Sequence, residues 1–182
     1  MARMARRADE QRVAEALALL DGRRLEERVG DTFILCTTDA DCWPHIALLS
    51  AGEVLAHEDG EIRLALWPNT AATRNLTANG RALLAIIGRR RCLYLRLDCR
   101  RGPDIRPVSG LLASFAGRIE RAMEDEVGYA LITSGVRFDV HDEPKIVDGW
   151  ARTVAALRAL MSEQDGDSRS VRLDDGTRPR GR

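Results

Sequence analysis

Residues 32–67 read TFILCTTDADCWPHIALLSAGEVLAHEDGEIRLALW, and this stretch decides the fold class. Residues 32–38 are rich in β-branched and aromatic side chains, and Asp39-Ala40-Asp41 carries turn chemistry. Pro44 opens the returning strand, where a missing N–H is tolerated. That strand continues through His45 to Ser50. A third strand is expected over 53–57, ending at Glu58-Asp59-Gly60, and a fourth over 61–67. Asp-Gly between two such runs is a hairpin signal. Four extended segments in so short a span make an antiparallel meander.

The rhythm breaks at Pro68-Asn69-Thr70. Thr70 is placed to cap a short alanine-rich helix over 71–78 with Leu76 as its apolar anchor, and Asn79-Gly80 closes it. Strands resume over 81–87. After a turn at Gly88-Arg89-Arg90-Arg91, residues 92–99 alternate Cys92, Tyr94, Arg96 and Asp98 with Leu93, Leu95 and Leu97, a period of two with the leucines facing the core. Residues 100–109 read as an exposed loop. In 111–126, Phe115, Ile119 and Met123 fit a helix, whereas Phe115, Gly117 and Ile119 fit a strand. Gly117 weakens the helix, so a strand is expected, with a turn at 124–126. A further strand is expected around Gly135-Val136-Arg137-Phe138.

The flanks read as helical. Val13, Leu17 and Leu20 recur at helical spacing before Asp21-Gly22, and a second helical turn holds Leu25 and Val29. Pro144 starts a last helix whose apolar stripe is Val147, Trp150, Val154, Leu157 and Met161. The expected organisation is a helical segment at 1–30, a barrel domain at 31–143, a helix packed on it at 144–161, and a disordered tail at 162–182. The fold class is mainly β: a six- to seven-stranded antiparallel split barrel of Greek-key type with one short inserted helix.

Composition narrows the function. The 28 Lys and Arg balance 28 Asp and Glu, so no net field steers the chain to nucleic acid or an anionic membrane. Lys145 is the sole lysine, which leaves lysine chemistry a single candidate. No apolar run reaches the roughly 20 residues that span a bilayer, and no secretory core follows the basic start. Cys36, Cys42, Cys92 and Cys99 lack zinc-knuckle spacing. They read as reduced thiols of a cytoplasmic protein, with a Cys36–Cys42 disulfide as the alternative. His57 and His141 have no partners at ligand spacing, so no metal site is expected. No hydroxyl or thiol carries a triad or elbow signature.

The order of these pieces can now be compared with a known family. Cys42-Trp43-Pro44-His45-Ile46 follows a Thr-Thr-Asp turn, and Leu64-Ala65-Leu66-Trp67-Pro68-Asn69-Thr70 feeds the short helix. Asn75-Leu76, Asn79-Gly80-Arg81-Ala82 and Thr133-Ser134-Gly135-Val136-Arg137-Phe138 come next. In this order the chain resembles the flavin-binding split barrel of the pyridoxamine 5'-phosphate oxidase-like superfamily. The resemblance implies a homodimer with FMN in two clefts at its interface, and an FMN-binding oxidoreductase of unknown substrate. The alternative is a non-catalytic flavin-, deazaflavin- or haem-binding protein on the same barrel. Cofactor-binding positions carried over are His45, Leu48 and Ser50 from the strand after the Pro-His turn, and Trp67, Thr70, Thr73, Arg74 and Asn75 from the segment entering the helix. The Thr70 and Thr73 hydroxyls would sit near a helix N-terminus that favours an anion. Arg74 would add a charge-assisted contact, and Trp67 a flat aromatic surface.

Departures from the family pattern are specific. Ala71-Ala72 stand where strong FMN binders have an arginine or lysine, and Ala47 and Gly52 stand where the pyridoxamine-oxidising enzymes have an arginine and a lysine. Their substrate-recognition segment also has no match after Trp150. Oxidation of pyridoxine phosphate itself is therefore not expected.

Overall fold

Asp39 builds the first hairpin. Its carboxylate accepts hydrogen bonds from the Asp41 N–H at 3.0 Å and the Trp43 N–H at 2.9 Å, and Cys42 takes the left-handed conformation at φ 65°. The computed structural model describes residues 6–8, 10–57, 60–88, 91–107, 110–126 and 129–170, with side chains of 6, 7 and 162–170 not described.

In chain order the elements are β1 (Arg6–Arg7), α1 (Glu10–Leu17), 3-10 turns at Ala18–Leu20 and Leu25–Arg28, β2 (Phe33–Thr38), β3 (Pro44–Leu49), β4 (Val54–Ala56) and β5 (Ile62–Leu66). These are followed by α2 (Ala71–Asn79), β6 (Arg81–Ile87), β7 (Arg91–Arg101), β8 (Ala113–Glu126) and α3 (Glu143–Ser170). One antiparallel sheet runs β3-β2-β6-β7-β8-β5-β4 and curls into a half-barrel, with the short β1 added to the far end of β8. The expected class holds: mainly β, split, with the helix inserted after the fourth long strand.

Register assigns the faces. Phe33 and Leu35 of β2 stand level with Leu49 and Ala47 of β3, and Leu84 of β6 stands level with both Leu35 and Leu95. Leu35, Leu84, Leu95, Leu64 and Phe115 are all fully buried and form the concave core. Burying such a side chain is worth about 1.5–3 kcal/mol, so the period-two pattern of the leucines sets the register by itself. α3 lays Trp150, Val154, Leu157 and Met161 on the β4–β5 half of the sheet.

Four expectations are corrected. The turn expected at 124–126 is strand: Glu124 pairs with Leu93 and with Arg6. Its acidic run marks a buried ion pair, because Arg12 holds both carboxylate oxygens of Glu124. The strand expected around Gly135-Val136-Arg137-Phe138 is a single bridge, Arg137 to Asp31. Arg137 donates to the Asp31 carboxylate and the Val29 carbonyl, and Val136 is exposed. This segment is tied to the body of the protein by a side chain rather than by a strand ladder. The last helix runs from Glu143 to Ser170, so residues 162–170 of the expected tail are helical, and 171–182 lie outside the described residues. The first helix is shorter than its apolar pattern, breaking into a 3-10 turn at Ala18. The expected turns at 58–59, 89–90 and 108–109 lie outside the described residues.

Candidate functional site around the start of α2

The helix inserted after β5 begins in a knot of hydroxyls. Thr70 sits extended at φ −83°, ψ 160°, and its Oγ1 accepts the Thr73 N–H at 3.3 Å, which is the N-cap geometry expected from sequence. The Thr70 and Thr73 hydroxyls both donate to the Trp67 carbonyl, at 3.1 and 2.7 Å. Arg74 folds back to donate to the Asn69 carbonyl at 2.9 Å. Gly80 ends the helix at φ 67°, its N–H returning to the Leu76 carbonyl. Trp67, Thr70, Thr73 and Arg74 therefore gather at one place. Their polar groups are occupied internally, and the N–H groups a helix start leaves over are those of Ala71 and Ala72.

The other cofactor positions carried over from the family lie apart from this knot. Asn75 is buried and donates to the Thr37 hydroxyl at 3.0 Å, fastening α2 to β2. His45 stands opposite the same Thr37, half-buried on the concave side of β3. Leu48 alternates to the other side, where it and Ile46 are 55% and 62% exposed. Trp43 and Trp67 add exposed aromatic area, at 72% and 54%. This is a large apolar edge for a lone chain.

Ser50, just past β3, leads to a second feature. Its N–H and hydroxyl both donate to Glu53 Oε2, each at 2.8 Å. The two residues line a cavity of about 330 Å³ with Trp67, Leu112, Lys145 and Trp150. Burial pushes the Glu53 carboxyl above the ordinary glutamate range, opposed by the Ser50 hydrogen bonds. Reading the sequence missed Glu53 and the role of Trp150. The signal was the Ser-x-x-Glu spacing; the stripe holding Trp150 looked like core alone.

On the convex side, a groove of about 610 Å³ is lined by Cys36, Arg81, Arg96, Asp98, Arg118 and Glu120. Arg118 pairs with Glu120 at 2.5 Å and with Asp98 at 3.6 Å, so its charge is largely balanced. Among the described residues no group of three or more His, Cys, Asp or Glu is placed to hold a metal ion. No helix among them is long and apolar enough to cross a membrane.

All four cysteines are free; Cys42 is exposed, Cys36 half-buried, and Cys92 and Cys99 buried. Burial and the neighbouring Asp98 carboxylate push the Cys99 thiol up to about 12. A thiol-specific disulfide reagent at neutral pH is expected to label Cys42 first and Cys36 more slowly, and Cys92 and Cys99 only after unfolding. Rapid labelling of Cys99 in the folded protein would contradict its buried place on β7 opposite Gly117 of β8.

No family model matches the chain. It is 35% identical over 140 residues to an uncharacterized protein, YclD, of Bacillus subtilis (strain 168), covering 77% of this chain and 91% of that one. Among solved structures it is similar to HupZ of Group A Streptococcus, at 14% identity and a TM-score of 0.48 over 69% of this chain and 97% of HupZ. It is also similar to a candidate pyridoxamine 5'-phosphate oxidase of Lactobacillus delbrueckii, at 12% identity and a TM-score of 0.45, covering 67% of this chain and 98% of that one. With its curled antiparallel half-barrel sheet, the chain belongs to the family of Bacillus subtilis YclD.

Proposed function

We propose that this protein is a homodimer that binds FMN beside the start of α2 and works as an oxidoreductase on a small molecule. The observation that carries the reading is the exposed apolar face of β3, with Ile46 and Leu48, on an edge strand that α2 also contacts. An edge strand this apolar needs a cover, and a second copy of the chain supplies one. The Ala71 and Ala72 N–H groups favour an anion such as a flavin phosphate. The Thr70–Thr73–Trp67 knot fixes their direction, and a bound flavin supplies the two-electron chemistry. Arg74 already spends Nη1 on the Asn69 carbonyl, and Ala71 and Ala72 bring no cation, so weak cofactor binding follows from the residues present.

A non-catalytic flavin-, deazaflavin- or haem-binding role on the same barrel is the second reading, favoured by those missing cations. The visible spectrum of the purified protein, followed by FMN titration and sedimentation, separates these. The expected result is a dimer that takes up FMN and shows its two-band spectrum. A Soret band, or a single deazaflavin-type band, in place of the FMN spectrum would favour the second reading. Thr70→Ala is expected to weaken FMN binding about fivefold, the loss of roughly one hydrogen bond. A monomer, or a colourless protein that takes up none of these cofactors, would overturn the proposal.

A further inference from the structure

The cavity between Trp67 and α3 has a composition that points to its own ligand. Trp67, Pro107, Leu112, Ile146 and Trp150 give it apolar and aromatic walls, and its volume of about 330 Å³ suits a bicyclic molecule. Its polar groups are few. The Glu53 carboxylate spends Oε2 on Ser50, and among the described residues no hydrogen bond to Oε1 is found. Lys145 and Asp148 on α3 carry opposite charges. Both are exposed, and Asp148 is paired with Arg152 at 2.8 Å, so Glu53 is the most buried charge of the cavity and sets the sign in its interior. Among the described residues no arginine lines it, which argues against a phosphate ester.

We infer that this cavity binds a small planar aromatic amine without a phosphate, its ring between the tryptophan walls and its ammonium group at Glu53. A cation held by aromatic faces gains from their negative quadrupole, and an ammonium at Glu53 relieves a carboxylate that burial otherwise opposes. The site does not rest on flavin binding.

Calorimetric titration of the full chain with tryptamine, indole and indole-3-propionate tests this. Tryptamine is expected to bind at least about tenfold tighter than indole-3-propionate, the worth of one charge-assisted hydrogen bond. Glu53→Gln should erase that preference and leave indole binding unchanged. Lys145→Gln, at an exposed position, should strengthen tryptamine binding two- to threefold by about the worth of a surface charge pair. Equal or tighter binding of the propionate, no binding of any probe at millimolar concentration, or a preference unmoved by both variants would overturn the inference. Flavin uptake read in the same samples reports on the proposed function separately: amine binding without flavin leaves this site standing, and the reverse outcome sinks it alone.

Discussion

Replacing Arg12 with methionine is expected to lower the unfolding free energy by about 3 kcal/mol, the usual loss when one partner of a buried ion pair is removed. Glu124 lies on the concave side of β8 with its side chain 2% exposed, and Arg12 of α1 reaches both of its carboxylate oxygens. Arg91 stands farther off, at 3.6 Å. No residue of α1 is itself buried, so the helix depends on partial packing through Val13, Ala16 and Leu17 and on this pair. Without Arg12, Glu124 stays out of water and loses the partner that meets both of its carboxylate oxygens. The double variant Arg12→Met/Glu124→Leu should recover most of the loss, because replacing both partners by apolar groups leaves no buried charge behind. Urea midpoints with an unchanged slope provide the measurement. If the double variant is as unstable as Arg12→Met, the loss is packing and the pair is incidental.

The same pair shows where reading the sequence stopped. The leucines of β7 and the Asp39 turn are local signals, and each was legible in a few consecutive residues. Glu124-Asp125-Glu126 looked like a turn because its partner lies 112 residues away. No local pattern announces that.

β8 shows a second limit. Phe115, Ile119 and Met123 imitate a helix face, but the register skips a residue where Leu97 pairs with Ile119 and Arg96 with Arg121. The bulge at Glu120 moves Ala122 and Glu124 to the concave side, and Met123 to the convex side. A helical spacing thus arose from a strand with one extra residue. The candidate site was legible at Thr70 and Gly80, whose cap roles are local chemistry. Its other half was not, since Glu53 and Lys145 meet only because α3 packs back across the β4–β5 end of the sheet.

That packing makes Gly52→Ala the second large effect expected. A Cβ at Gly52 would lie 2.3 Å from Cγ and Cδ1 of Trp150 and 2.5 Å from its Cβ. The indole cannot step aside cheaply. It is 9% exposed and meets Phe138 edge-on, with ring centroids 6.4 Å apart. Overpacking of this kind costs about 1–3 kcal/mol, and the closeness of three Trp150 atoms places Gly52→Ala toward the upper end. For a chain of this length that lowers the melting temperature by about 6 °C. Gly149→Ala, one residue before Trp150 on the same helix, is expected to act in the opposite direction. A Cβ there meets nothing within 4 Å, and alanine favours a helix interior over glycine by about 1 kcal/mol. Opposite signs from these two variants would show that α3 is seated on the 50–53 turn by contact rather than by helix propensity. If Gly52→Ala melts like the parent protein, Trp150 is free to shift, and the cavity wall it forms is not fixed by the fold.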